Sequence, residues 1–250
     1  MDPELAIRKR FVAGISMTDS KEIKLYATHP HPCSYFDDRE AKTIFIDPDM
    51  TPSPALYSEL SRRGFRRSGN HIYRPDCNRC RECIASRVPV TVFSPTRSQR
   101  RTLKRNADLS TKIFSAPPEE SYALYERYIN GRHRDGDMFP PSREQFNSFL
   151  GPSNATTEYV HFYLGDDLVA VAVTDVLDDG LSAIYTFYDP EFSQRGLGVY
   201  GILWQISEAK SRNLPYIYLG YWIRDCQKMS YKTDYRPIEL LINSRWVRLN

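Results

Sequence analysis

The hydrophobic rhythm is clearest in the second half of the chain. Alternating apolar positions over Glu158–Leu164 and Leu168–Val176 predict two strands joined at the turn Gly165-Asp166-Asp167. A second turn, Asp178-Asp179-Gly180, leads into a third strand over Leu181–Tyr188. The period then changes. Beyond Gly196-Leu197-Gly198, the residues Ile202, Leu203, Ile206 and Ala209 recur at helical spacing, which predicts a helix to residue 211. Tyr216-Ile217-Tyr218-Leu219 returns to β-branched and aromatic residues, a strand that Gly220 interrupts as at a bulge. Two short strands, around Ile238–Ile242 and Trp246–Leu249, close the pattern.

The first half is less regular. Ile23–Thr28 and Thr43–Ile46 read as strands, and Ser53 caps a helix with Pro54 at its first position and Gly64 just past its end. Phe65–Arg74 predicts a hairpin turning at Gly69-Asn70, and Val88–Phe93 a strand. Thr96-x-x-Gln99 is a capping box that starts a further helix. Pro117-Pro118 marks a boundary before helices at Glu119–Arg132 and from Ser142 to Gly151. The expected organisation is a mobile N-terminus over 1–20, a smaller N-terminal α/β module over 21–115 and a C-terminal domain over 116–250, in an α+β fold.

Charge sharpens this division. The net charge is only +3, yet Arg62–Arg105 holds 13 Lys/Arg against Asp76 and Glu82. The capped helix carries Arg97, Arg100, Arg101, Lys104 and Arg105 with no acid among them, the footprint of a polyanion partner such as RNA. Lys228, Tyr231, Lys232 and Tyr235 fall at i, i+3, i+4 and i+7, so one short helix would present cations and phenols on one face, suited to phosphates and stacked bases. A solvated amphipathic helix would read the same way. The chain has no run of 18 apolar residues and its N-terminus has no apolar signal core, so neither a membrane span nor a secretory leader is expected. Five cysteines make an odd total, which points to reduced thiols and the cytoplasm. Cys77-x2-Cys80-x2-Cys83 with distant Cys33 offers four thiolates, enough for zinc or an iron–sulfur cluster, or simply free thiols.

The element order from 158 onward, three strands, a glycine loop, a helix and a strand, resembles the GCN5-related acyltransferase (GNAT) fold. There a glycine loop and a helix N-terminus hold an acyl carrier's phosphate, and Gly196 and Gly198 stand at the matching place. The match is partial, because Ser193 stands where the motif's Gln/Arg is usual.

Longer phrases carry a closer resemblance. HPCSYFDDREAKTIFIDP at 31–48, GFRRSGNHIYRPDCNRCRECIASRVPV at 64–90, RSQRRTLKRNADL at 97–109 and YLGYWIRDCQKMSYKTDYRPIELLIN at 218–243 are similar to the aminoacyl-tRNA–protein transferases, in particular the bacterial aspartate/glutamate leucyltransferase branch. The resemblance implies transfer of leucine from charged tRNA to the amino terminus of proteins beginning with Asp or Glu, marking them for degradation. It implies no required cofactor, although eukaryotic relatives hold metal or iron–sulfur at a cysteine set that this chain matches incompletely, since Cys33-Ser34-Tyr35-Phe36 lacks a second cysteine.

That chemistry assigns roles. Asp175, in an apolar strand, would hold the acceptor ammonium and take its proton, or serve as a structural acceptor. Thr186–Tyr188 would offer backbone N–H groups to the carbonyl. Tyr221 and Trp222 would wall a leucine pocket or stack the terminal adenine. Arg66, Arg67 and Arg74 are candidates for the acceptor's acidic side chain. The competing readings are an acetyl-CoA-dependent N-acetyltransferase and a non-catalytic tRNA-binding module.

Overall fold

Residues 23–151 and 156–250 are the part of the chain described by the computed structural model; the expectation for residues 1–20 lies outside it. The front half supplies β1 (Leu25–Ala27), β2 (His31–Pro32), β3 (Glu40–Ala41), β4 (Thr43–Ile46), α1 (Pro54–Arg62), β5 (Arg66–Ser68), β6 (His71–Pro75), β7 (Ile84–Pro89) and α2 (Arg97–Arg105). It is followed by β8 (Ser110–Phe114), α3 (Glu119–Arg132), α4 (Arg143–Leu150), β9 (Thr157–Leu164), β10 (Asp167–Leu177) and β11 (Gly180–Tyr188). The chain closes with α5 (Leu197–Ser211), β12 (Tyr216–Trp222), α6 (Gln227–Ser230), β13 (Ile238–Ile242) and β14 (Arg245–Leu249).

Local chemistry sets the helix starts. Ser53 accepts from the Leu56 N–H, Ser142 from Gln145, and Thr96 closes the full capping box with Gln99. The strands assemble, among the described residues, into a large mixed sheet ordered β14-β13-β7-β12-β11-β10-β9-β8 and a small one ordered β1-β4-β6-β5. The fold is therefore α+β. The large sheet takes β7 and β8 from the expected 21–115 module, with β7 between β12 and β13. Residue 115 thus does not divide one sheet from the other. Sequence reading placed the β7 strand at Val88–Phe93 and did not foresee β8.

Alternation along β10 separates the two faces of the sheet. Ala170 and Ala172 pack with Leu197 and Tyr200 of α5, whereas Val171 and Val173 pack with Leu124, Tyr125, Ile129, Phe146 and Leu150 of α3 and α4. The small sheet and α1 cover the rest of that second face, where Tyr57, Leu60, Phe65 and Ile72 meet Leu177 and Tyr218. No helix of the described residues is long and apolar enough to cross a membrane.

Candidate active site

The large sheet parts in its middle. β11 and β12 are parallel and joined through α5, yet they pair only at Gly180–Tyr216, Leu181–Ile217 and Ser182–Tyr218. Each then carries one extra residue relative to its other neighbour. β11 has Ile184 between the partners of Val173 and Thr174, and β12 has Leu219 between the partners of Arg87 and Ser86. Bulges bend and twist a strand, and the two strands diverge into a splay. Ala183, Ile184, Tyr185 and Thr186 are consequently half-buried at the centre of an eight-stranded sheet. Among the described residues the β11 backbone beyond Ser182 pairs with no strand on this side, so the N–H groups that point this way are open to an oxygen.

α5 starts at the mouth of the splay. Gly196, the N-cap, takes φ 69°, a left-handed conformation that glycine adopts without strain; no side chain caps the helix and its first turn holds no acid. At Gly198 a Cβ would stand 3.7 Å from Tyr188 Cε1, and at Gly201 3.3 Å from Thr186 Cγ2, so small residues let α5 settle closely on β11. The positive end of the helix dipole is left open to an anion.

The basic helix docks beside this terminus. Asn106 Nδ2 donates to Arg195 O at 2.9 Å, the Arg105 guanidinium donates to Gln194 O, and Arg195 grips Asp108 with two bonds of 2.8 Å. Arg97, Arg100, Arg101, Lys104 and Arg105 are all exposed. The arginine-rich front is therefore continuous with the glycine loop, and not walled off from it.

Aromatic residues line the opposite side. Tyr128 of α3 lies 5.0 Å from the Tyr188 ring and 6.3 Å from Tyr185, and Phe149 of α4 lies 5.5 Å from Tyr185. Burial pushes the Tyr128 and Tyr185 phenols far above their ordinary range, which keeps both neutral. His133 shares a 2.9 Å hydrogen bond with the Tyr128 hydroxyl. Lys228 Nζ reaches Asp135 Oδ2 at 3.1 Å and ties the segment after β12 to the loop after α3. Tyr128, Phe149, His133 and Asp135 were not singled out from sequence, because nothing local distinguishes them from core or surface residues.

Several sequence assignments change. Asp175 is fully buried and accepts from Arg67 Nε and Nη2, Tyr57 Oη and Thr157 Oγ1, each at 2.7 Å. With four donors it is a structural acceptor, and it has no lone pair turned to a substrate ammonium. Arg67 is its ion-pair partner and is spent likewise. Arg74 bonds Arg63 O at 3.2 Å and lies over Phe65, lining a separate cavity of about 590 Å³ beside the cysteine loop. Arg66 is buried beneath Tyr218, away from the surface of its hairpin.

The expected Lys/Tyr face does not form. A helical turn at Gln227–Ser230 passes into a 3-10 turn at Tyr231–Asp234, which rotates the side chains apart. Lys228 and Tyr231 are exposed, whereas Tyr235 enters the core and Lys232 is 4% exposed. Tyr221 is buried and donates to Gly64 O at 2.8 Å and to Tyr73 O at 3.3 Å, pinning the small sheet to the large one, and it lines the cavity beside the cysteine loop. Trp222 is half-buried with Nε1 on Ser230 O at 3.2 Å. Thr186 and Tyr188 do stand on β11 at the splay, against α5.

Cys33, Cys77, Cys80 and Cys83 are free thiols within electrostatic reach of one another. Burial, with Cys77, Cys33 and Cys80 adding, pushes Cys83 up to about 12. Arg39 Nη1 lies 3.5 Å from Cys80 Sγ. Among the described residues no three His, Cys, Asp or Glu side chains converge as a ligand set. None of the chemistry below is routed through a metal at these thiols.

Comparison with known proteins adds the family. Residues 31–101 match the N-terminal model of the arginine-tRNA-protein transferases, and residues 120–242 match the C-terminal model. The aspartate/glutamate leucyltransferase of Stutzerimonas stutzeri is 55% identical over 94% of this chain and 100% of its own length. Those of Pseudomonas paraeruginosa and Hahella chejuensis are 56% and 53% identical, each over 93% of this chain and 100% of their own. Among solved structures, L-PGS from Bacillus licheniformis overlaps 68% of this chain and 49% of its own at a TM-score of 0.40 and 12% identity, a likeness too low to build on.

Proposed function

Because this chain belongs to the arginine-tRNA–protein transferase family, beside the bacterial aspartate/glutamate leucyltransferases, we infer that it transfers leucine from leucyl-tRNA to the α-amine of proteins beginning with Asp or Glu. The observation that carries this reading is the exposed basic helix α2 packed against the open N-terminus of α5 at the mouth of the splay. In this reading the rear unit works as a GNAT-like acyltransferase whose acyl carrier is the tRNA 3′ end. Phosphates lie along α2 and the α5 terminus. The leucyl side chain rests among Tyr128, Tyr185, Tyr188 and Phe149, an apolar wall that separates aliphatic side chains by about 1–3 kcal/mol per methylene.

The reaction asks little of side-chain acid–base chemistry. An α-amine has a reference pKa of roughly 7.7–8.0, so a useful fraction is neutral at pH 7. Its nitrogen attacks the ester carbonyl, the new C–N bond forms, the bond to the ribose oxygen breaks, and the amine proton ends on the released hydroxyl. Holding both substrates in the splay supplies roughly 7–11 kcal/mol of the barrier. The unpaired β11 backbone N–H groups beyond Ser182 receive the developing oxyanion. The product, a leucine-bearing N-terminus, marks the acceptor for degradation, and the abundance of free thiols fits work in the cytoplasm.

The test is transfer of labelled amino acid from a panel of charged tRNAs to Asp-, Glu- and Arg-initiated peptides. Leucyl transfer to the first two supports the reading, and saturable acetyl-CoA binding with no transfer replaces it with an N-acetyltransferase.

A further inference from the structure

Arg66 and Arg67 are neighbours in sequence and equally buried, at 5% and 6% exposure, but the fold treats them differently. Arg67 has a carboxylate, a hydroxyl and a carbonyl around its guanidinium. Arg66 has one hydrogen bond, from Nη2 to Ser86 O at 3.2 Å, and lies 5.1 Å from the centre of the Tyr218 ring. Its Nε and Nη1 are buried with no partner among the described residues. A guanidinium sealed from water with two unfilled donors is costly unless an anion completes it.

A second buried cation faces the same place. Lys232 Nζ donates to Tyr221 O at 2.7 Å and to Met229 Sδ at 3.3 Å. Among the described residues neither Lys232 nor Arg66 has a carboxylate partner. The groups acting electrostatically on the two are each other, the phenols Tyr57, Tyr73, Tyr218 and Tyr221, and the thiols Cys83 and Cys226. Burial, followed by repulsion from Arg66, pushes the Lys232 ammonium down to about 8.

The two cations are anchored on neighbouring positions of the paired strands β7 and β12. Ser86, which anchors Arg66, is opposite Gly220 in the β7–β12 ladder and bonds Gly220 O through Oγ at 3.0 Å. Tyr221, which anchors Lys232, is the next residue. Gly220 has φ 80°, is half-buried, and a Cβ there would meet nothing within 4 Å. The bulge that opens the splay therefore also leaves open space at Gly220, on the strand pair that anchors both cations.

We propose that Arg66 and Lys232 form the pocket for the acceptor's first side chain, a carboxylate that enters beside Gly220 and completes both cations. This rests on the transferase reading and narrows it: among the three hairpin arginines Arg66 is the one with buried donors lacking a partner within the described residues, and Lys232 joins it. A side-chain carboxylate is small enough for the space at the bulge and leaves the α-amine of the same residue near the splay between β11 and β12. A tRNA phosphate would be held instead by the exposed cations of α2.

The experiment compares Arg66→Gln and Lys232→Met with the wild type, using Asp- and Asn-initiated peptides of otherwise identical sequence. The expected result is that each variant raises KM for the Asp peptide about tenfold or more and narrows its advantage over the Asn peptide, with leucyl-tRNA binding in a filter assay within about twofold of wild type. Unchanged Asp/Asn discrimination in folded variants, or loss of tRNA binding in its place, overturns the pocket. Should the variants fail to fold, calorimetry on the wild type decides. The Asp peptide is expected to bind about tenfold or more tighter than the Asn peptide, and equal binding overturns the proposal. Selective Asp binding with no leucyl transfer to any peptide supports the pocket and counts against the transferase reading alone.

Discussion

Arg67 holds Asp175 through two bonds of 2.7 Å with the arginine side chain 2% exposed and the carboxylate fully buried. The pair joins the small sheet to the large one, and Tyr57 of α1 and Thr157 of β9 complete the carboxylate. Removing one partner of a buried pair strands the other charge, at a cost of about 3–5 kcal/mol. Asp175→Ala is expected to lower stability by that amount in urea melts. At a temperature where it remains folded, its leucyl-transfer kcat is expected to stay within about threefold of wild type, whereas a general base would cost about 10²–10⁴-fold.

The α2 helix gives a prediction in salt. Arg97, Arg101 and Lys104 are exposed, and among the described residues their side chains make no hydrogen bond or ion pair. Replacing all three with alanine is expected to weaken tRNA binding and to lower the slope of log K against log salt by about 2–3. Lys228→Ala, whose lysine is engaged by Asp135, is expected to lower it by less than about 1. Equal slopes for wild type and the triple variant would remove α2 from the interface.

Much of this arrangement was legible beforehand, for local reasons. Capping residues mark their helices in sequence, so Ser53, Thr96 and Ser142 located α1, α2 and α4. Hydrophobic periodicity located β9 to β12 and α5. The glycine loop and the basic helix could be named, but not their adjacency, which depends on Asn106 and Arg105 reaching a loop some 90 residues on. Asp175 was visible as a carboxylate in an apolar strand. Its partners Arg67 and Tyr57, 108 and 118 residues away, left no local trace. The Lys/Tyr periodicity misled because the segment tightens into a 3-10 turn after Ser230 and so loses the helical register.

Lys232 yields a prediction in pH. Its folded pKa of about 8 lies below the ordinary lysine value of 10.5, so between those values the unfolded chain binds more protons than the folded one. Stability contributed by this group is therefore lowest below pH 8 and rises toward pH 10.5, by up to about 3 kcal/mol. In paired thermal melts, wild type is expected to gain on Lys232→Met as pH is raised from 7 to about 9.5. A pH-independent difference would mean the lysine keeps its ordinary pKa.

Gly220 tests the bulge. At φ 80° with open space beside it, Gly220→Ala is expected to cost only the left-handed penalty, about 1–2 kcal/mol. Gly220→Leu would also fill the space and raise KM for an Asp peptide with little change in KM for leucyl-tRNA. Equal KM values for Gly220→Leu and Gly220→Ala would mean the space is not used by the acceptor.

The central claim is that the splay between β11 and β12 brings an esterified tRNA end to another protein's first amine. Its most direct test is mass spectrometry of an Asp-initiated peptide, carrying an internal lysine, after incubation with this protein and leucyl-tRNA. The account predicts one added leucine on the N-terminal amine and none on the lysine side chain; an unmodified peptide, or leucine on the lysine, would contradict it.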